Sequence, residues 1–381
     1  MNHYDAIVIG GGVVGTAAAY RLRQLGVNTL LIDSHDTGRA TDAGAGILAP
    51  ETGGTTIAPA WYTFAMTACA YYPALLDDLK SDGGGDTGYQ VCGELIVAVD
   101  EDELDAYEQK KRVIFERQRF RNHPSHDDLR EISPEEACTL FPPLRPPLKA
   151  LYFRGGARVD GRLLAAAILN AAQNRGLNLL AERVEQLVIE NSHVTGVRVN
   201  GDLIRAEKVI IAGGAWSAAF GEQLGCTIPV EPQRGQIIHL RLTGADTADW
   251  PVVDAFHGHY LVCWPDGRVV AGATREVGSG FVPKTSAAGV HQVLGEALRV
   301  APGLSTAEIG EIRIGLRPRT LDNLPVIGTV PSVVGVFLAT GHGATGLQLG
   351  PYSGKLAAEW VLDVDANQRD YRPFGLNRVT A

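Results

Sequence analysis

Gly10, Gly12 and Gly15 stand in the spacing G-x-G-x-x-G, and Asp33 follows the last of them by eighteen positions. Each has a separate use if these glycines turn a strand into a helix. Gly10 permits the tight turn, Gly12 lets a pyrophosphate reach bare backbone, and Gly15 lets the helix pack close against the strand. The phosphates would rest on unpaired N–H groups at the positive end of a helix that begins near Val13. Asp33 would accept hydrogen bonds from an adenosine ribose. A structural turn followed by a surface aspartate uses the same residue types, so the surrounding elements decide.

Those elements are all there. Residues 5–9, Asp-Ala-Ile-Val-Ile, predict a short buried strand; residues 16–25 are alanine-rich with apolar positions at helical spacing, and Gly26 stops that helix. Residues 27–32 predict a second apolar strand that ends on Asp33. The unit strand–helix–strand is the context that a dinucleotide site requires.

The chain of 381 residues is longer than one core usually serves, so two domains are expected, and a 45% hydrophobic share is ample to build them. A net charge of −9 argues against nucleic-acid binding, which rests on many Lys and Arg contacts to phosphate. The five cysteines (69, 92, 138, 226 and 263) are odd in number, widely spread and never in a C-x-x-C pair. They predict neither a disulfide framework nor a metal site, and fit a reducing cytoplasm. The first apolar run is broken by glycines and has no basic segment before it, so neither a secretory signal nor a membrane span is expected.

Further along, residues 40–48 are a run of small side chains followed by apolar ones, against which something flat could lie; the same composition also suits a surface loop. Residues 61–79 predict an amphipathic helix and 88–99 a strand. Residues 101–118 read as a charged, solvated helix without chemistry. The proline-rich stretch 121–147 reads as irregular connection with one short helix near 134–140. A helix over 163–175 comes next, and residues 178–184 lead into two strands, 184–190 and 194–199, joined by a turn at Asn191-Ser192. Residues 208–217 then repeat the opening: a buried strand, Gly213-Gly214, and a helix start. Short strand candidates at 237–242, 260–264 and 268–273 suggest an antiparallel sheet.

The opening glycines with Asp33, residues 41–46, the 211–216 turn, Pro232-Gln233-Arg234-Gly235-Gln236, Gly315-Leu316-Arg317-Pro318 and Gly341-His342-Gly343-Ala344-Thr345-Gly346 together resemble one family. This is the flavin-dependent family of D-amino-acid oxidase, glycine oxidase, sarcosine oxidase and D-amino-acid dehydrogenase, and the resemblance spans nearly the whole chain. It implies an α/β, two-domain (α+β) fold: a Rossmann-like FAD-binding domain plus an antiparallel or mixed-sheet substrate domain. The FAD-binding domain would comprise residues 1–84, 151–227 and 321–381, and the substrate domain 85–150 and 228–320. It further implies non-covalent FAD, with Gly10, Gly12, Val13, Val14, Gly15, Asp33, Ser34 and Val184 at its ADP part. Thr41, Ala43, Gly44, Ala45, Gly46, Ile47, Gly213, Trp216, Arg317, Gly341, Gly343, Ala344, Thr345, Gly346 and Leu347 complete the cofactor set. No cysteine falls in the last motif, so a cysteinyl flavin is not expected.

Enzymes of this family take a hydride from the carbon that bears the amine, and the protein's task is to orient that carbon. An arginine that forks onto the substrate carboxylate is the natural holder. The resemblance assigns this role to Arg317, with Arg313 and Arg319 as nearby alternatives, and gives Tyr260 a substrate contact that a half-buried strand tyrosine would equally explain. His342 is a third candidate, for flavin or substrate, against a structural turn. Where glycine oxidase carries a second arginine this chain has Ala344. Either the pocket takes a larger or secondary amine, or another arginine compensates. The expected substrate is therefore a small D-amino acid, glycine, or an N-substituted or cyclic amino acid. Oxygen, a quinone, a dye or a partner protein would accept the electrons, and self-assembly into a homo-oligomer is compatible with the reading. A 2-hydroxy-acid dehydrogenase on the same fold and a flavin subunit of a larger dehydrogenase are the alternatives.

Overall fold

The computed structural model describes residues 3–363 and 371–379. Residues 1–2, 364–370 and 380–381 of the expected FAD-binding pieces lie outside these.

An eight-stranded sheet is centred on His3–Ile9, which pairs in parallel with Thr29–Ile32 on one side and Asp202–Ile211 on the other. Its apolar run is buried from Ala6 to Ile9, as a strand covered on both faces must be. Asn178–Leu180 extends the sheet beyond Thr29–Ile32. Asp202–Ile211 divides its length: residues 202–205 carry the hairpin His193–Val199, and 209–211 pair in parallel with Val336–Thr340. Four parallel strands thus deliver Gly10, Asp33, Ala212 and Gly341 to one edge, the carboxyl edge where open α/β sheets bind ligands.

Two helices pack over one face. Val13–Gln24 and Gly346–Val361 cross so closely that a Cβ on Gly354 would lie 2.7 Å from the Ala18 nitrogen, and Ala17 and Ala18 supply the matching small side chains. Pro59–Ser81 and Gly161–Asn174 complete this layer around a common core. The Gly213-Gly214 turn leads into a 3₁₀ helix, Gly214–Phe220.

A nine-stranded mixed sheet forms the second layer, in the order Glu276–Val277, Glu231–Arg241, Arg268–Gly272, Tyr260–Cys263, Val252–Ala255, Glu94–Ala98, Lys149–Phe153 and Leu129–Ile132, with Glu308–Arg319 also along Glu231–Arg241. Only Val252–Ala255 and Glu94–Ala98 run parallel; the other pairs are antiparallel. Lys149–Phe153 crosses the expected boundary at residue 150 and pairs within this sheet. The fold is therefore mixed α/β, with a Rossmann-like parallel sheet beside a mixed sheet.

Two local expectations need correction. Residues 129–132, expected to be irregular, form a strand because Leu129 and Ile132 bracket a segment that pairs with Lys149–Phe153. The helix Leu104–Arg121 is not solvated all round: Tyr107, Ile114 and Gln118 are buried, and Lys110 on that stripe turns toward a cavity. Among the described residues no helix is long and apolar enough to cross a membrane, and no cluster of three or more His, Cys, Asp or Glu could hold a metal ion.

Candidate active site

A cavity of about 620 Å³ runs between the two sheets, from Gly10, Asp33 and Val184 at one end to Tyr260, Arg317 and Lys110 at the other. At the first end Gly10 has φ +103°, and a Cβ there would lie 2.6 Å from the Ala212 carbonyl oxygen. Only glycine fits that turn. Gly15 does not line the cavity; a Cβ on it would overlap the Gly10 carbonyl, so its task is helix-to-turn packing. Gly12, Val13, Val14 and Ser34 do line the cavity. Asp33 is buried and receives Arg39 Nη1 at 2.7 Å, leaving further lone pairs for a ribose. Arg39 was not anticipated. Thr41 Oγ1 accepts the Val13 amide at 3.1 Å, which ties the small-residue loop to the helix N-terminus.

That loop is a built wall, not a free surface segment. Ala40–Ala43 forms a 3₁₀ turn, and Ile47–Leu48 pairs with Ala157–Arg158. A Cβ on Gly44 would lie 2.6 Å from Leu347 Cδ1, and one on Gly46 would overlap the Val159 carbonyl. Thr41, Ala43, Gly44, Ala45, Gly46 and Ile47 line the cavity, facing Gly213 and Trp216 on one side and Gly343, Ala344, Thr345, Gly346 and Leu347 on the other. Gly341 lies outside it and packs on Thr320. Gln348, missed by the sequence reading, is 6% exposed on the cavity wall with its Nε2 unpartnered. A bare-backbone cradle at one end and a buried, unspent amide donor beside the helix start fit FAD, and no cysteine lines the cavity to bond it.

His342, read from the sequence as a flavin or substrate contact against a structural turn, lines the cavity beside Gly343. Its ring is buried, with Nε2 2.9 Å from Ser353 Oγ, while Ser353 gives its own proton to the Leu349 carbonyl. Nε2 is therefore the donor, and burial pushes the imidazole down to about 3, keeping it neutral. The ring braces the glycine turn against the helix instead of presenting a titrating group.

At the far end, cross-strand register assembles the polar residues. Tyr260 pairs with Gly272 on one side and Asp254 on the other, so all three project from the same face. Gly272 leaves room for the Tyr260 ring: a Cβ would lie 2.5 Å from its hydroxyl. Arg317 lies flat across Gly235, where a Cβ would come within 2.5 Å of Cζ. Its Nη1 donates to the Thr274 carbonyl at 2.8 Å, and the guanidinium meets the Tyr260 hydroxyl. Burial lowers the Arg317 pKa; Tyr260 opposes that shift and Arg275 adds to it. Burial likewise raises Tyr260, against the pull of Arg317 and Arg275.

Arg317 has no acidic partner among the described residues, whereas Arg313 pairs with Glu311 at 2.7 Å and Arg319 with Glu231. Neither neighbour lines the cavity, which leaves Arg317 as the guanidinium of its strand that is free to meet an anion. Arg234 and Gln236 of the same motif are spent on Glu276, bracing the sheet.

The opposite wall was not foreseen. Lys110 is paired with Asp254, Glu94 contacts Thr52, and Trp61 closes the end, with its ring filling the space that Gly54 leaves open. Burial, reinforced by Asp254, pushes Glu94 up to about 8. Thr52 has one proton for two neighbours, the Ala49 carbonyl at 3.1 Å and Glu94, and a protonated Glu94 that donates to Thr52 resolves the count. The signals were there in outline: an acid inside each of two apolar strands, and a lysine three residues from Tyr107 and four from Ile114 on the buried helix stripe.

Residues 5–360 match the FAD dependent oxidoreductase family. The chain is 37% identical over 372 residues to an uncharacterised oxidoreductase of Bacillus subtilis (strain 168), covering 97% of this chain and 98% of that protein. It is 31% identical over 389 residues to a glycine oxidase of Geobacillus kaustophilus (strain HTA426), covering 99% and 98%. Among solved structures, an iminodiacetate oxidase from Chelativorans sp. BNC1 superposes with a TM-score of 0.91 at 38% identity, over 97% of this chain and 98% of that one. The glycine oxidase from Geobacillus kaustophilus follows the same fold with a TM-score of 0.88 at 29% identity, over 99% of both chains.

Proposed function

Because this chain belongs to the FAD-dependent oxidoreductase family, we propose that it oxidises the C–N bond of a small amino acid to an imine. The observation that carries this reading is the cavity-facing guanidinium of Arg317, without an acidic partner among the described residues and locked against Tyr260 and Thr274. A carboxylate fits that fork, and binding it there orients the α-carbon toward the middle of the cavity. FAD supplies the two-electron acceptor. The C–H bond breaks with both electrons leaving as a hydride equivalent, the nitrogen gives up a proton, and a C=N bond forms. Water then cleaves the imine to a 2-oxo acid and an amine, while oxygen, a quinone, a dye or a partner protein takes the electrons onward.

Within the substrate class, an N-substituted or cyclic amino acid is favoured over glycine or an unsubstituted D-amino acid. Ala344 lines the cavity and offers no second guanidinium at that position, and the 38% identity to an iminodiacetate oxidase points the same way. His342 serves as a positioning residue for the Gly341–Gly346 turn. The five free cysteines support a reducing compartment, the cytoplasm.

Replacing Arg317 by Met tests the assignment. The variant is expected to retain FAD while kcat/KM for carboxylate-bearing amines falls about 10- to 150-fold, the equivalent of a charged hydrogen bond worth about 1.5–3 kcal/mol. Unchanged kinetics would remove Arg317 from the site. Flavin bleaching by 2-hydroxy acids but by no amine would turn the assignment to the hydroxy-acid alternative.

A further inference from the structure

Arg275 lines the same cavity as Arg317 but at its solvent-exposed mouth. Its Nη1 donates to the Gly258 carbonyl at 2.6 Å, and a Cβ on Gly258 would overlap that nitrogen, so the side chain lies in a fitted groove. It stands close enough to Arg317 and Tyr260 to lower the pKa of both. Among the described residues no carboxylate pairs with it. The adjacent Glu276 is committed to Arg234, Gln236 and Thr274. Four arginines of the adjacent strands, Arg234, Arg268, Arg313 and Arg319, each have an acidic partner, which Arg317 and Arg275 lack among the described residues.

Two like charges, one inside and one at the entrance, therefore face a shared space without compensation. A monocarboxylate amino acid offers one negative charge to that pair; a dicarboxylate offers two, placed at its two ends. Resting on the amine-oxidising reading above, we propose that the substrate is a dicarboxylic amino acid whose first carboxylate binds Arg317 and Tyr260 and whose second binds Arg275. The second acid can be carried on the nitrogen substituent or on the side chain, and the guanidinium fork suits either. Arg275 thereby takes up the role of the second cation, displaced from the Ala344 position to the mouth.

The test uses FAD-loaded enzyme and anaerobic flavin reduction by iminodiacetate, D-aspartate, L-aspartate, sarcosine and glycine. Iminodiacetate or an aspartate should exceed sarcosine and glycine in kcat/KM by at least about tenfold, and whichever dicarboxylate leads identifies where the second acid sits. In Arg275→Gln that preference should shrink about 10-fold or more, chiefly through KM, with partial recovery in Arg275→Lys. Arg275 is exposed, so its replacement leaves the core intact, and the retained flavin spectrum checks that the variant folds. Equal losses for mono- and dicarboxylates would overturn the proposal, placing Arg275 on the same carboxylate as Arg317. So would a preference that is unchanged in Arg275→Gln, or one lost in wild type at high salt, which marks steering alone. If no amine reduces the flavin but 2-hydroxy acids do, the parent reading fails; if sarcosine or glycine matches the dicarboxylates, only this inference does.

Discussion

At the nucleotide end the cavity wall is main chain, and at the substrate end it is side chain. Gly10, Gly12, Gly44 and Gly46 present backbone because a Cβ would collide or crowd at nearly every one of them. Tyr260, Arg275 and Arg317 instead present long polar groups, each laid over a glycine of a neighbouring strand or turn that leaves it room: Gly272, Gly258 and Gly235. Glycine thus does opposite work at the two ends. In the first it is the binding surface; in the second it is the bed on which the binding surface rests. The first end can hold a fragment common to many enzymes, while the second sets which molecule is oxidised, since its charges can be exchanged without disturbing the parallel sheet.

The comparison breaks most visibly if the nucleotide end tolerates a side chain. Gly10→Val forces a β-branched residue to φ +103° with its Cβ 2.6 Å from the Ala212 carbonyl. The backbone strain alone costs about 1–3 kcal/mol, before any steric overlap. The purified variant should lack the visible flavin bands, and acid precipitation should release no FAD. Full flavin content would show that side chains, not backbone, hold the nucleotide.

The acidic wall sharpens the other half. Glu94 rises from an ordinary 4.5 to about 8 in the folded protein. Between those values the folded state keeps a proton that the unfolded state has lost, so stability falls as pH rises through this window. Glu94→Gln cannot ionise, and its thermal unfolding midpoint should decline less between pH 4.5 and 8, ending several degrees above the wild type's trend. Parallel midpoint curves would mean that Glu94 is ionised at neutral pH and that the substrate end carries one more charge than the bonding around Thr52 implies.

What could be read from the chain follows the same divide. Gly10, Gly12 and Asp33 lie in one strand–helix–strand unit, so their spacing and its immediate context exposed them, although the Ala212 carbonyl that crowds Gly10 comes from a distant strand. The wall from Thr41 to Ile47 was legible as small residues, but its fixing by Val159 and Leu347 was not. Arg317 came from a family resemblance; its isolation from Glu311 and Glu231 needed the strand pairing. Lys110 was hidden because a helix so rich in charge looks solvated, and only the buried stripe through Tyr107 and Ile114 shows which lysine turns inward. Asp254 owes its place to the register that aligns it with Tyr260, and Arg275 to its seat on the Gly258 carbonyl seventeen residues away, information that no local pattern carries.

The smallest effect concerns His342, read from the sequence as a flavin or substrate contact or a structural turn, which lines the cavity with its ring tied to Ser353. If the ring is a brace, His342→Gln should keep the FAD spectrum and alter kcat/KM by no more than about the loss of one ordinary hydrogen bond, roughly 1 kcal/mol or fivefold. Its signature lies in acid instead. The folded ring titrates at about 3 against an ordinary 6.5, so in that interval the unfolded state binds the extra proton and stability is lost as pH falls. Glutamine has no such proton, and the variant's unfolding midpoint should fall less steeply from pH 6.5 downward, even if it starts lower. A large drop in flavin reduction together with a shifted pH–rate profile would instead return His342 to the reacting centre. The turn at Gly341–Gly346 would then belong to both ends of the cavity, built of backbone yet acting through a side chain.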